Sequence, residues 1–242
     1  MVQTDERTLR AVTRPVAALE RGRFITFEGP EGSGKTTQAG RLADALRSRG
    51  VPIVATREPG GTVVGERIRD LLLDPQSSID PLADALLFNA ARRQLMAEVI
   101  EPALAAGTTV ICARFADSTR AYQGYGGGLP LAELDRLEVV ATGGLRPDRT
   151  ILLDVPVEIG LARKAPDDRT RFETGFDLAF HQRVRNGFHA IAVAEPGRFV
   201  VVDARADPDD VARRVLRAVE PLFRGSGDSP DEPKRPDVRI HR

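Results

Sequence analysis

The chain of 242 residues has a single cysteine, Cys112, and only three histidines. One cysteine excludes a disulfide within the chain, and we expect the protein in the cytoplasm, where thiols stay reduced. The histidines, His181, His189 and His241, do not have the spacing of zinc ligands. A structural zinc site is therefore not expected.

The chain also lacks a net charge and a long apolar run. Its 35 Lys and Arg residues balance 35 Asp and Glu residues, so no long-range attraction to nucleic acid or to an anionic membrane is expected. No apolar run approaches the roughly 18 residues of a membrane-spanning helix. Charged residues between Asp5 and Arg10 interrupt any signal-peptide pattern. We therefore expect a protein that binds neither nucleic acid nor membranes.

The length fits one sizeable α/β domain with two weakly patterned ends. Residues 1–21 lack periodicity and are predicted to be a loose N-terminal extension. Residues 224–242 are rich in Pro, Gly and charge, and they cannot bury enough apolar surface to offset the entropy of ordering. We predict that they form a disordered C-terminal tail, and that the folded domain spans residues 22–223.

Within the domain, short β-type runs alternate with stretches of helical periodicity. The predicted strands are residues 24–27, 51–56, 108–112, 150–154 and 198–203. Asp80 and Asp207, each followed by a proline, are predicted N-caps of two of the helices. This alternation predicts an α/β fold of three layers, with a five-stranded parallel sheet between helices on both faces. Ligands of such folds gather at the carboxyl ends of the strands.

Residues 29–36 fit the phosphate-binding pattern G-x-x-x-x-G-K-[ST], and they lie between a predicted strand and a predicted helix. Glycines let backbone N–H groups converge on phosphate oxygens, and the helix N-terminus adds the positive end of its dipole. Lys35 supplies charge for the outer phosphates, and the Thr36 hydroxyl is placed to ligate Mg²⁺. We expect Lys35 to be solvent-accessible. The predicted ATP-binding residues are Gly29, Pro30, Glu31, Gly32, Ser33, Gly34, Lys35, Thr36 and Thr37.

Further motifs follow the predicted strands in order. They are residues 57–62 (REPGGT), 86–92 (LLFNAAR), 117–124 (DSTRAYQG), 170–173 (TRFE) and 180–185 (FHQRVR). In this order and spacing, and with no arginine between the glycines of the P-loop, the chain resembles the thymidylate kinase family over residues 22–223. The resemblance implies a P-loop kinase fold with a mobile lid, Mg²⁺ as cofactor, and a homodimer.

The implied activity is transfer of the γ-phosphoryl group of ATP to dTMP, which gives dTDP and ADP for dTTP synthesis. Two alternatives stay open. One is a kinase for another or modified pyrimidine nucleoside monophosphate. The other is a nucleotide-binding paralogue of weakened activity.

The resemblance also implies roles for single residues. Phe88 would stack on thymine, with Arg92 one turn along the same helix in contact with the base, although core packing is an equal alternative for Phe88. Glu31 would accept a hydrogen bond from the 3′-hydroxyl of dTMP. Arg57 and Arg114, just past strand ends, are suited to clamping the acceptor phosphate, or else are surface residues. The loop over the nucleoside would contain Ser118, Tyr122 and Gln123.

Residues 163–175 are the predicted lid. Four positive charges fall within nine residues there, and phosphoryl transfer needs cations over the migrating group, although a charge run is more often a solvated face. The candidate catalytic arginines are Arg163, Arg169 and Arg171. Arg171 matches the family pattern best.

The third strand departs from the family, which usually has Asp-Arg-Tyr or Asp-Arg-Phe where this chain has Ala113-Arg114-Phe115. In the family the acid helps to hold Mg²⁺ or its waters and orients the acceptor phosphate. Asp117 and Asp154 are the nearby acids that could partly replace it. The chain is then a working kinase with a rearranged metal shell, a slowed or specialised paralogue, or a substituted version of an active enzyme.

Overall fold

The computed structural model describes residues 21–165 and 170–223 of the chain. The predicted extension, apart from Arg21, the predicted tail and Arg169 lie outside the described residues. Among those described, no helix is long and apolar enough to cross a bilayer.

The centre of the domain is a sheet of five parallel strands. The strands are β1 (Phe24–Glu28), β2 (Ile53–Arg57), β3 (Thr109–Ala113), β4 (Arg149–Asp154) and β5 (Phe199–Asp203). Their order in the sheet is β2-β3-β1-β4-β5, with Phe27 of β1 paired to Ala113 of β3 and to Ile151 of β4. The predicted parallel sheet is confirmed, and each strand boundary lies within two residues of its prediction.

Helices connect the strands. They are α1 (Lys35–Arg47), α2 (Val63–Leu73), α3 (Pro81–Leu95), α4 (Glu101–Ala105), α5 (Ala116–Thr119), α6 (Leu131–Thr142), α7 (Val157–Ala162), α8 (Arg171–Thr174), α9 (Leu178–Ala194) and α10 (Pro208–Val219). A π-helical segment, Met96–Ile100, joins α3 to α4, and a second one, Arg120–Gly126, continues α5. The side chains of Asp80 and Asp207 accept backbone N–H groups at the starts of α3 and α10, as predicted.

Alternating side chains of β1 separate the two apolar layers of the domain. Ile25 and Phe27 belong to the core that the sheet forms with α1 and α10. Phe24 belongs to the core on the other face, together with Leu95 and Ile100. The predicted three-layer arrangement is therefore confirmed, because strand side chains point alternately to opposite faces.

The order of the strands also locates the site. β1 lies between β3 and β4, so the chain leaves β1 toward one side of the sheet and later crosses to the other. A crevice forms at the carboxyl ends of the strands where the connections diverge. The P-loop follows β1 at this point.

Candidate active site

A cavity of about 700 Å³ opens at the carboxyl ends of β1, β2 and β3, a volume typical of small-molecule sites. The predicted site residues that line it are Glu31, Gly32, Gly34, Lys35, Thr36, Thr37, Arg57, Phe88, Arg114, Ser118, Tyr122, Gln123 and Arg163. Those that do not line it are Gly29, Pro30, Ser33, Arg92 and Arg171. The structure thus brings most of the predicted residues to one cavity.

The P-loop requires glycine at two positions for reasons of space and of backbone conformation. Gly29 has φ 143° and Gly32 has φ 67°, values that favour glycine. A Cβ atom on Gly29 would lie 2.3 Å from the carbonyl oxygen of Leu153, and one on Gly32 would lie 1.9 Å from that of Gly160. The loop is therefore held closely between β4 and α7.

Lys35 is buried, with 8 % of its surface exposed. Its ammonium group donates to the carbonyl oxygens of Gly29 and Pro30 at 2.9 and 2.7 Å, and to Ser33 Oγ at 3.1 Å. The prediction that Lys35 is accessible is wrong, because the loop curls its own carbonyl groups around the amine. Burial and the charge of Arg114 lower the pKa of Lys35 to about 7.

Glu31 and Arg114 form an ion pair that links the P-loop to the chain after β3. Arg114 Nη2 lies 2.6 Å from Glu31 Oε1, which also accepts the Tyr122 hydroxyl at 2.8 Å. Burial would raise the pKa of Glu31, but the charges of Arg114, Lys35 and Lys164 hold it well below its usual range. Glu31 is therefore ionised. The cations around it explain how a carboxylate is accommodated inside a phosphate-binding loop.

At the far end of the cavity the walls are aromatic. Phe88 is half-buried, and its ring centroid lies 6.2 Å from that of Phe172. Phe172 in turn meets the ring of Tyr122 edge-on at 5.5 Å. Gln123 Nε2 donates to Asp84 Oδ2 at 2.8 Å. This end suits a flat, partly polar ring, because Phe88 and Gln123 both line the cavity there.

Arg92 lies behind the cavity wall, where the sequence led us to expect a contact with the base. It is 1 % exposed, and its Nη2 lies 2.7 Å from Glu58 Oε2 and 3.1 Å from Thr119 Oγ1. Glu58 and Thr119 line the cavity in its place. The buried ion pair with Glu58 holds the guanidinium behind the wall, beside the ring of Phe115. Arg92 therefore holds two wall residues that sequence reasoning missed.

The structure places Arg171 away from the cavity, in contrast to the prediction that it faces the transferred group. Its guanidinium donates to the carbonyl oxygen of Leu72 and to Asp84. Thr170 and Glu173 form the capping box that starts α8, and the ion pair with Asp84 of α3 holds the Arg171 guanidinium inward. Arg171 thus anchors the second half of the predicted lid to α3.

Arg163 and Lys164 are the described lid cations that line the cavity. Arg163 donates to the carbonyl oxygens of Gly32 and Ala204, at 3.4 and 3.0 Å. Lys164 Nζ lies 2.5 Å from Glu173 Oε1 and 3.8 Å from Glu31 Oε2. The charge run in the sequence contained Lys164, but sequence reasoning considered only its arginines.

Ala113 lines the cavity at the end of β3, and neither acid proposed to replace its missing carboxylate reaches the cavity lining. Asp117 makes a two-pronged ion pair with Arg198, at 2.6 and 3.0 Å. Asp154 is held in the same way by Arg185, at 2.8 Å for both contacts. Both carboxylates already have guanidinium partners, so the suggested replacement is not made.

Thr36 is an exposed residue of the first turn of α1 and faces the cavity. The described residues contain no cluster of three or more His, Cys, Asp or Glu side chains that could hold a metal ion. A single hydroxyl and open space fit Mg²⁺ that is bound mainly by phosphate oxygens and water, which is the usual way this ion is held beside nucleotides.

The glycine loop that joins β1 to α1 and opens into this cavity places the protein among the P-loop nucleotide-binding α/β proteins. The family within that class follows from comparison with known proteins. The family model described as thymidylate kinase matches residues 27–215, and the chain belongs to the thymidylate kinase family.

Individual relatives agree with this assignment. The thymidylate kinase of Deinococcus radiodurans is 48% identical over 201 residues, which cover 83% of this chain and 98% of that protein. The thymidylate kinase of a Synechococcus species is 52% identical over 200 residues, covering 82% of this chain and 94% of that protein. The crystal structure of thymidylate kinase from Ehrlichia chaffeensis is 38% identical, covers 82% of this chain and 99% of its own, and superimposes with a TM-score of 0.68. The predicted family and enzyme class, a phosphotransferase, are confirmed.

Proposed function

We propose that this enzyme transfers the γ-phosphoryl group of ATP to the phosphate of dTMP, giving dTDP and ADP for dTTP synthesis. The observation that carries the proposal is that one cavity joins the P-loop to an aromatic wall, with Lys35 and Arg114 at one end and Phe88 at the other. A donor and an acceptor nucleotide can therefore meet inside it. Nothing in the described residues favours a different pyrimidine.

The triphosphate of ATP would lie along the P-loop and the start of α1. Lys35 would exchange its contacts with loop carbonyls for the outer phosphates, and Arg163 would approach from the lid side. The Thr36 hydroxyl would hold Mg²⁺, which when bound supplies neutralising charge at the phosphates. These residues position the donor and balance its charge.

The acceptor phosphate would lie among arginines at the ends of β2 and β3. Arg57, Arg69 and Arg114 all line this part of the cavity, and Arg69 was missed by sequence reasoning. Arg69 donates to the carbonyl oxygen of Pro59 at 2.9 Å, which fixes its direction. No side chain need attack, because an oxygen of the acceptor phosphate is the nucleophile, and alignment with charge neutralisation does the catalysis.

The nucleoside of dTMP would occupy the aromatic end. Phe88 would stack on thymine, with Thr119 and Gln123 beside the base. Glu31 Oε1 is engaged by Arg114 and Tyr122, which leaves Oε2 to accept the 3′-hydroxyl.

The proposal includes a homodimer in the cytoplasm. The helices α2, α3 and α6 pack side by side. They expose the apolar side chains of Leu71, Leu86 and Val140. Exposed apolar surface of this kind supports association of two copies.

A coupled assay of ADP release tests the function. We expect turnover with ATP, Mg²⁺ and dTMP, and much lower rates with dUMP, dCMP and UMP in place of dTMP. The matched control is Lys35→Met, which should abolish turnover. Preference for another monophosphate would contradict the proposal, and so would ATP hydrolysis that no monophosphate stimulates.

Base recognition is tested separately at Phe88. Phe88→Ala should weaken dTMP binding by about 1–3 kcal/mol, the range for loss of base–aromatic stacking, and should hardly change ATP binding. Calorimetric titration with each nucleotide measures both. Leu82→Ala, an exposed position on the same helix, is the control. Equal losses for dTMP and ATP would show that Phe88 is a core residue.

A further inference from the structure

Glu28 is the last residue of β1 and directly precedes the P-loop, yet it is fully buried and does not line the cavity. Its carboxyl group reaches across to the chain that follows β3. Oε1 accepts the backbone N–H of Phe115 at 2.7 Å, and Oε2 lies 2.6 Å from Ser118 Oγ. A fully buried carboxyl with two such contacts joins the P-loop strand to the acceptor side of the site.

The segment that Glu28 holds contains Arg114. Arg114 has φ 71°, in the left-handed region that residues with a side chain rarely adopt unless their surroundings impose it. Its backbone N–H donates to the carbonyl oxygen of Phe27 at 2.8 Å, and its guanidinium lies 3.3 Å from Ser118 Oγ. Glu28 therefore contacts the residue after Arg114 and also the hydroxyl beside its guanidinium.

We propose that Glu28 is a positioning residue, whose carboxyl holds Ser118 and the Phe115 backbone so that Arg114 is presented to the acceptor phosphate. This inference rests on the proposed function. Glu28 acts through Ser118 and Arg114 and does not touch the nucleotide. Its effect belongs to the dTMP side of the site, because both of its hydrogen bonds go to the chain after β3.

The charges around Glu28 indicate whether its carboxyl holds Ser118 in the protonated or in the ionised form. The groups facing it are Lys35 of α1, Cys112 of β3, Arg114, and Asp117 of α5. Burial and the charge of Asp117 raise the pKa of Glu28 to about 8, against the opposing effects of its hydrogen bonds and of Arg114. Below this pKa the carboxyl holds a proton and can donate it to Ser118 Oγ, whereas the ionised carboxylate accepts the Ser118 hydroxyl instead.

This proton leaves the hydroxyl hydrogen of Ser118, which lines the cavity, free for the acceptor phosphate. When Glu28 ionises, Ser118 must donate to it instead. Affinity for dTMP should therefore fall as the pH rises through about 8, the pKa of Glu28.

Two substitutions separate positioning from packing. In Glu28→Gln the amide oxygen accepts the Phe115 N–H and the amide nitrogen donates to Ser118, as the protonated acid does. We expect kcat/KM for dTMP near the wild-type value at neutral pH and a flattened pH profile in the alkaline range. In Glu28→Ala both contacts vanish, and kcat/KM for dTMP should fall about tenfold or more, with KM for ATP nearly unchanged.

Glu138→Gln is the matched control, because Glu138 is a buried carboxyl with a raised pKa on α6 that does not line the cavity. It should leave the pH profile of the wild type intact. Thermal melting confirms that each variant is folded. If Glu28→Ala does not fold, Glu28→Gln and Ser118→Ala still test whether Glu28 acts through Ser118. Ser118→Ala should also lose the alkaline pH dependence of dTMP affinity.

Titration of dTMP binding by calorimetry distinguishes failure of the proposed function from failure of the positioning role of Glu28. Failure of the wild type to turn over dTMP, with dTMP still bound, would overturn the proposed function and leave the positioning role measurable as a pH-dependent affinity. A folded Glu28→Ala with wild-type dTMP affinity would overturn the inference. So would a Glu28→Gln variant that keeps the alkaline pH dependence.

Discussion

Ala113 stands where the resemblance to the family leads us to expect an acid, and it lines the cavity at the end of β3. A carboxylate there would enter the cavity, where we propose that Mg²⁺ and the phosphates bind. Because Asp117 and Asp154 are engaged by Arg198 and Arg185, neither fills this role. In the described structure, β3 therefore places no carboxylate in the cavity lining.

Ala113→Asp should raise turnover and lower the Mg²⁺ concentration needed for half-maximal rate, with a smaller change in dTMP affinity. Partners of bound metal ions are commonly worth about 10–100-fold in metal affinity or activity. Steady-state rates over a range of Mg²⁺ concentrations check this. Ala116→Asp, at a buried position of α5 outside the cavity lining, is the control and should bring no gain. Unchanged turnover and unchanged Mg²⁺ dependence would show that another group already supplies the charge.

Lys164 is a lid cation that lines the cavity. The chain has three lysines, Lys35, Lys164 and Lys234, and the first two line the cavity. We propose that Lys164 places its charge over the transferred group, so Lys164→Met should lower kcat about tenfold or more, while Lys164→Arg should keep part of the rate. Arg205→Met, at an exposed ion pair with Asp203, is the control. A kcat for Lys164→Met equal to that of the wild type would contradict the catalytic role.

At the scale of elements, α7 and the P-loop touch backbone to backbone. A Cβ atom on Gly160 would lie 2.2 Å from the carbonyl oxygen of Glu31, so even a methyl group must push the loop away from the helix. This contact with α7 restrains the position of the P-loop. The loop geometry thus depends on a glycine far from the motif in sequence.

Gly160→Ala should weaken ATP binding and lower the free energy of unfolding by about 1–3 kcal/mol, the usual effect of overpacking. Gly40→Ala is the matched control, because Gly40 lies inside α1 with nothing within 4 Å of its added Cβ. That change should stabilise the protein by about 0.5–1 kcal/mol. Calorimetric ATP titration and urea denaturation give both quantities. Stabilisation by both alanines would mean that α7 does not restrain the loop.

On the scale of the whole molecule, a buried ion pair ties the acceptor side to the far edge of the sheet. Arg198, which precedes β5, holds Asp117 of α5 and donates to Thr150 Oγ1 of β4 at 2.7 Å. The pair joins elements that are distant in sequence. Its loss should affect the stability of the entire domain.

Arg198→Met should lower the free energy of unfolding by about 3–5 kcal/mol, because it leaves the Asp117 carboxylate buried without its partner. Urea denaturation measures this. Arg47→Met removes an exposed pair with Asp44 and should change stability by less than about 1 kcal/mol. Similar small effects of the two substitutions would show that the pair of Arg198 with Asp117 does not stabilise the domain.

The sequence by itself determined the layers of the fold, the P-loop and the family. These features are local, since strand and helix periodicities, glycine spacing and N-caps such as Asp80 are encoded in neighbouring residues. The motifs proposed Phe88, Arg114, Ser118 and Tyr122 as substrate-binding residues, and the structure brings these four to one cavity.

The tertiary structure alone decided which way the charged side chains point. Arg92 and Arg171 carry the right motif letters, yet ion pairs with Glu58 and Asp84 turn them away from the cavity. Lys164 and Glu28 gain their proposed roles from partners across the fold. A buried charge takes its direction from the opposite charge it meets, because an unpaired one is strongly unfavourable. The partners come from distant parts of the chain, and local pattern does not encode which of them will meet.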